Sequence, residues 1–154
     1  MAADTNPLDV KLAVINAIGW SNKGLKNSQV FLNHIIKTKK YQSEANRKSI
    51  TFKWNATADE LTCYAYLMAM ENYFDVTDAN KIAQLALKKK PNSLAVNTIA
   101  GLIKAHGFFL LDETCFAYTQ YINLTSGSNL EVDIRQDASD MIRFYIKSLN
   151  HNCP

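Results

Sequence analysis

Apolar residues recur every three or four positions along most of the chain, and residues that start or stop helices flank nearly every such run. Pro7 suits a first helical turn that Thr5 or Asn6 can cap. Pro7 to about Trp20 therefore predicts a helix, with Val10, Leu12, Ala13, Ile15, Ala17 and Ile18 available for burial. The Ser21-Asn22-Lys23-Gly24 cluster breaks the chain, and Leu25 to about Thr38 predicts a second helix with Val30, Phe31, Ile35 and Ile36 near helical spacing. A turn this short should set the two antiparallel.

Thr57 and Glu60 have the spacing of a capping box, in which each side chain accepts from the other residue's backbone amide. The helix that follows, Ala58 to Phe74, is apolar nearly all the way round, which a helix sustains only when packed on several sides. It is expected at the centre. Thr77 or Asp78 can cap a helix running to about Lys90, where three lysines favour the negative end of the dipole and Pro91 stops it. Asn92 or Ser93 can cap Leu94 to Ala105, with Gly107 as its end. Asp112 and Asp137 can open two more helices, reaching about Asn123 and Leu149.

Two segments depart from this rhythm. Ile50 to Trp54 and Leu130 to Ile134 alternate apolar and polar residues, the period of a half-buried strand, and their polar positions carry opposite charge. They predict one short two-stranded pairing or, failing that, two extended connectors that tuck Phe52, Trp54, Val132 and Ile134 into the core. The fold class expected is mainly α, an array of antiparallel helical hairpins forming a single helical domain over residues 1–154.

Glu60 to Ser93 resembles one unit of the tetratricopeptide family, a helix-turn-helix of about 34 residues. Ala79, Ala86 and Pro91 fall where that family places two small residues of its second helix and the proline that ends it, and the turn at Asp75 to Thr77 lies where its turn belongs. Leu67 is bulky where the family has a small residue, and Ala83 stands where it prefers an aromatic. The resemblance implies a scaffold that binds a peptide or partner protein. The family's carboxylate clamp has no matching Lys/Asn/Arg set here.

Composition fits a globular domain, with 47% hydrophobic and 20% charged residues in 154. No apolar run approaches the roughly 18 to 20 residues that span a bilayer, and the N-terminus lacks the layout of a secretory signal. The expected setting is cytoplasmic, without membrane contact. Cys63, Cys115 and Cys153 are odd in number and widely spaced, so no disulfide framework or metal motif is expected, and the sequons at Asn55 and Asn123 read as chance. His34, His106 and His151 belong to no ligand motif, and no nucleophile elbow, P-loop or dinucleotide fingerprint occurs. No catalytic residue, metal or cofactor is therefore assigned.

Charge is distributed unevenly. Between Lys23 and Lys53 eight cationic residues face Glu44 alone, whereas from Asp112 to Asp140 six acids face only Arg135. Such asymmetry steers a charged partner to one face. The leading expectation is a protein-protein interaction module whose recognition surface includes Lys37, Lys39, Lys40, Lys48, Lys53 and Trp54. An alternative is an anion or single-stranded nucleic-acid binder using the same segment, where Tyr41 and Trp54 could stack on bases. The three arginines of the chain and a net charge of +3 make that the weaker case. A third reading is a small enzyme or apolar-ligand protein built on the Tyr64 to Tyr73 helix, with Glu71 or His106 as acid or base.

Overall fold

A computed structural model describes residues 5–21, 26–39, 48–111 and 113–148, and the side chains of all of these except 20–21 and 48–51. Eight helices follow one another: α1 (Leu8–Ser21), α2 (Asn27–Thr38), α3 (Lys48–Asn55), α4 (Ala58–Glu71), α5 (Thr77–Lys89), α6 (Leu94–Phe109), α7 (Thr114–Thr125) and α8 (Gln136–Ser148). No strand occurs among the described residues. The mainly α class read from the apolar rhythm is what is found.

α4 holds the assembly together. It packs against α1, α2, α5 and α6, and its Leu61, Cys63, Ala65, Tyr66 and Leu67 are all buried. The capping box is formed as expected: Glu60 N–H donates to Thr57 Oγ1 at 3.2 Å and Thr57 N–H to Glu60 Oε2 at 2.8 Å. The helix stops at Glu71, three residues before the expected Phe74, because Asn72 leaves helical geometry and its carbonyl closes a turn with Asp75 N–H. Glu71 then has work outside its own helix. Its two carboxylate oxygens accept from Ser28 N–H and Ser28 Oγ, both at 2.6 Å, capping the first turn of α2 from 43 residues away. α1 and α2 each lie on α4 and touch each other little, so the direct antiparallel pairing expected of them is replaced by a shared partner.

The α4–α5 hairpin buries Ala79, Ile82, Ala83 and Ala86, whose small side chains let the two helices approach closely. α5 is opened by Asp75, whose carboxylate accepts from Thr77 N–H at 3.0 Å, and not by the Thr77 or Asp78 side chain. α6 is buried without a break from Ala95 to Gly101. Ser93 caps it as predicted, accepting from Val96 N–H at 3.1 Å. It runs past Gly107 to Phe109, since Phe108 and Phe109 gain packing against α7 and α8 that offsets the cost of a helical glycine. A smaller second core of Ala105, Ala117, Tyr121 and Ile146 forms there. At the α6–α7 crossing a Cβ on Gly101 would lie 3.0 Å from the buried Tyr121 ring, so any larger residue would have to push that ring aside by a few tenths of an ångström.

The expected two-stranded pairing is absent. Residues 48–55 are α3, because a helix lets Phe52 drop wholly into the core, edge-on to Tyr64 with ring centroids 5.2 Å apart. Residues 130–134 form a loop with a single bridge between Glu131 and Ser93, and their backbone is claimed by the loop before α6: Leu94 N–H donates to the Glu131 carbonyl at 3.0 Å and Glu131 N–H to the Asn92 carbonyl at 2.6 Å. Of the four residues expected to tuck inward, Phe52 and Ile134 do, while Trp54 (78% exposed) and Val132 (74%) face water. α8 likewise buries Ile146 and leaves Met141 and Phe144 exposed.

This loop carries a polar clasp on α6. Asp133 Oδ1 accepts from Ala95 N–H at 2.9 Å, and Oδ2 accepts from Ser93 Oγ at 2.6 Å and Lys90 Nζ at 2.9 Å. Burial alone would raise its pKa. The Ala95 amide, the Ser93 hydroxyl and the Lys90 ammonium outweigh burial and hold it below the ordinary carboxylate value of 3.8. Arg135 continues the clasp to α1 through an ion pair with Asp9 at 2.8 Å.

Two outcomes follow for stability. Phe52→Ala is expected to cost about 3–5 kcal/mol in urea unfolding. Trp54→Ala, in the same helix, should change it by less than about 0.5 kcal/mol; equal effects would contradict a helical α3. Asp133→Asn should cost about 1–3 kcal/mol near neutral pH. Because the folded pKa is depressed, the wild-type advantage is present above the unfolded value and disappears as pH falls through the folded one. Unfolding curves of the two proteins should therefore converge in acid.

Candidate functional site

Residues of five helices meet at the first turn of α4 around a solvent-open cavity of about 590 Å³. Its apolar wall is Phe31 and Ile35 from α2, Ala56, and Cys63 from α4. Its polar wall is Lys11 from α1, Lys39 at the end of α2, Asp59 and Glu60 from α4, and Lys89 and Lys90 at the end of α5. The capping box explains why so many charges gather here. It fixes Glu60 at the base of a helix that has almost no solvent face, and the cations that answer it must come from neighbouring helix ends.

Most of these charges are paired. Lys39 Nζ lies 2.8 Å from Glu60 Oε1, an ion pair without hydrogen-bond alignment, while Oε2 serves the capping box. Lys90 is held by Asp133 and lies 3.8 Å from Asp59. Lys89 Nζ donates to the Trp54 carbonyl at 2.8 Å, which ties the end of α3 to the end of α5. Cys63 sits deep in the wall, and burial pushes its thiol up to about 12; Lys11 pulls the other way but is outweighed. A thiol held there is a poor nucleophile at neutral pH.

The sequence-predicted surface is brought together in part. Lys39 lines the cavity and is engaged with Glu60. Lys37, Lys53 and Trp54 are exposed on α2 and α3, two helices in mutual contact, and the backbone of Trp54 is anchored by Lys89. Lys40 and the Lys48 side chain lie outside the described residues. Sequence reasoning missed Lys11, whose place on the buried side of α1 follows from Leu8, Leu12 and Ile15 on the same face. It also missed Lys89 and Lys90, which it read only as dipole partners at a helix end.

The residues of the enzyme or apolar-ligand reading serve the fold. Glu71 caps α2. Tyr66 Oη donates to Asn16 Oδ1 at 2.9 Å. His106 Nε2 lies 2.7 Å from the Tyr73 carbonyl and its ring packs against the Tyr73 ring, tilted by 51° with centroids 3.9 Å apart, pinning the α4–α5 turn to α6. Neither the cavity above nor a smaller one of about 340 Å³ between α5 and α6 is lined by Tyr64, Tyr66, Met68, Met70 or Tyr73. Among the described residues no group of three or more His, Cys, Asp and Glu could hold a metal ion, and no helix is long and apolar enough to cross a membrane.

Cys115 departs from the expectation that the cysteines form no disulfide. It is exposed and disulfide-bonded, leaving Cys63 as the free thiol among the described residues. Comparison with protein-family models finds no match, and comparisons with curated proteins and with solved structures find none either.

Alkylation separates the two cysteines. In the native protein at neutral pH, Cys63 should resist iodoacetamide; after denaturation without reductant Cys63 should be labelled and Cys115 should not. Peptide mapping by mass spectrometry reads both, and fast native labelling of Cys63 would contradict the burial described.

Proposed function

We propose that this protein is a small helical interaction module that recognises an acidic segment of another protein through the face bearing Lys37, Lys53 and Trp54. The observation that carries this reading is Trp54. A tryptophan 78% exposed, on a helix whose other side is anchored by a fully buried Phe52, leaves most of its ring free for a partner. Tryptophan beside cations is the composition of a binding hot spot, where a rigid aromatic surface supplies contact and the charges select the partner. Stacked hairpins suit such a role, since they present rigid helix ends and grooves. The tetratricopeptide resemblance is kept within this proposal, and the burial of Ala79 and Ala86 in the α4–α5 contact supports it.

A nucleic-acid partner is the second reading of the same face. It differs by its salt dependence, because phosphate contacts release counterions in proportion to their number. As to compartment, the Cys115 disulfide favours an oxidising environment over the cytoplasmic one expected from the sequence, and both sequon asparagines, Asn55 and Asn123, are exposed.

Fluorescence anisotropy with a labelled Asp/Glu-rich peptide bearing one aliphatic residue tests the proposal. Trp54→Ala should weaken binding at least about tenfold, or about 1.4 kcal/mol, and Lys53→Glu should weaken it further, with unchanged circular dichroism. Tighter and steeply salt-dependent binding of oligo-dT would move the face to the second reading. Unaltered peptide binding by Trp54→Ala would end the first.

A further inference from the structure

Lys11, a cation on the wall of the cavity at the start of α4, finds no partner among the described residues. Lys11 is 8% exposed, yet its ammonium makes no hydrogen bond or ion pair with any described residue. It is not sealed in, for the only wholly enclosed side-chain polar atoms lacking a hydrogen bond among the described residues are Glu60 Oε1 and Thr98 Oγ1. The Lys11 ammonium therefore opens on the cavity. An ammonium removed from bulk water without a counter-charge is costly, and folded proteins normally pair it.

The other charges facing the cavity do not meet this need. Glu60 is divided between Thr57 N–H and Lys39, and Asp59 faces Lys90, which Asp133 also holds. Lys11, Lys39, Lys89 and Lys90 outnumber Asp59 and Glu60 on the walls, and still do when Asp133 is counted. The backbone adds to the excess. The capping box satisfies the amides of Thr57 and Glu60, whereas those of Ala58 and Asp59, also on the wall, belong to the first turn of α4 and have no intrahelical acceptor.

We propose that this cavity binds a small amphipathic acid, with its carboxylate or phosphate against Lys11 and the first turn of α4 and its apolar body against Phe31, Ile35 and Cys63. A volume of about 590 Å³ suits a small organic ligand, and the division into an apolar and a cationic wall fixes the ligand's direction. The anion completes an ion pair that the described residues leave half made. Its binding uses neither Lys53 nor Trp54, so it stands apart from the protein-recognition reading above.

Phenyl phosphate, phenylacetate and neutral benzyl alcohol are the probes, with thermal unfolding and ¹H–¹⁵N shifts as readouts. At millimolar concentration one or both anions should raise the midpoint, benzyl alcohol should not, and the amides of Ala58 and Asp59 should shift with saturation. The tighter of the two anions identifies a phosphate ester or a carboxylic acid as the ligand class. Lys11→Met keeps the buried stem and removes the charge; it should weaken the anion at least tenfold and raise the midpoint of the free protein. Trp54→Ala should bind the anion as wild type does, and Lys11→Met should keep its affinity for the acidic peptide. Absence of any anion effect on the wild type, or equal affinity in Lys11→Met, overturns the proposal. If Lys11→Met does not fold, unmoved Ala58 and Asp59 amides in the wild type overturn it alone.

Discussion

The structure depends on one constraint: α4 is covered on nearly every side, so each polar group it carries must find its partner inside the protein. Its apolar residues draw α1, α2, α5 and α6 around it. Its polar ends then dictate which residues those helices must offer. At the C-terminal end Glu71 reaches out to cap α2. At the N-terminal end the capping box turns Glu60 inward, and Lys39 arrives to meet it. The alternative, an unpaired carboxylate among residues of five helices, would be destabilising by several kcal/mol.

The concentration of charge at that end follows from the same geometry. Helix ends carry lysines because the dipole favours them, and caps carry acids for the opposite reason. Where the end of α5, the end of α2 and the start of α4 converge, both kinds meet, and the space between side chains of unequal length is the cavity. The Asp133 clasp is the counterpart on the other side of Lys90. A chain segment without secondary structure supplies the acid that caps α6, accepts from Lys90 and leads through Arg135 to α1. The uneven charge seen along the chain is thus partly consumed in joining its two halves. Lys37 and Lys53 stay on the surface beside Trp54, and Lys11 faces the cavity.

Much of the helical plan could be read directly from residues. The capping box at Thr57 and Glu60, the Ser93 cap and the centrality of α4 rest on patterns a few residues long, and the tertiary structure had no reason to overrule them. Errors lay where short patterns were ambiguous. Alternation at Ile50 to Trp54 is compatible with a strand, but Phe52 is buried while Trp54 on the same alternating face meets water, and a short helix sends the two in different directions. The charge pattern pointed to the segment of Lys39 and Lys53, but periodicity could not reveal that Lys11, in a different helix, opens on the same cavity as Lys39.

By itself, then, the sequence determined which stretches become helices, where most begin, and which faces seek cover, because those choices depend on neighbours within a turn or two. Only the tertiary structure decided that α1 and α2 share α4 as a partner, that Asp133 closes α6, and that four lysines from three helices and two acids from a fourth line one cavity. Those outcomes depend on residues dozens of positions apart meeting in space. Their pairing is set by which charges remain unanswered once the apolar faces have packed.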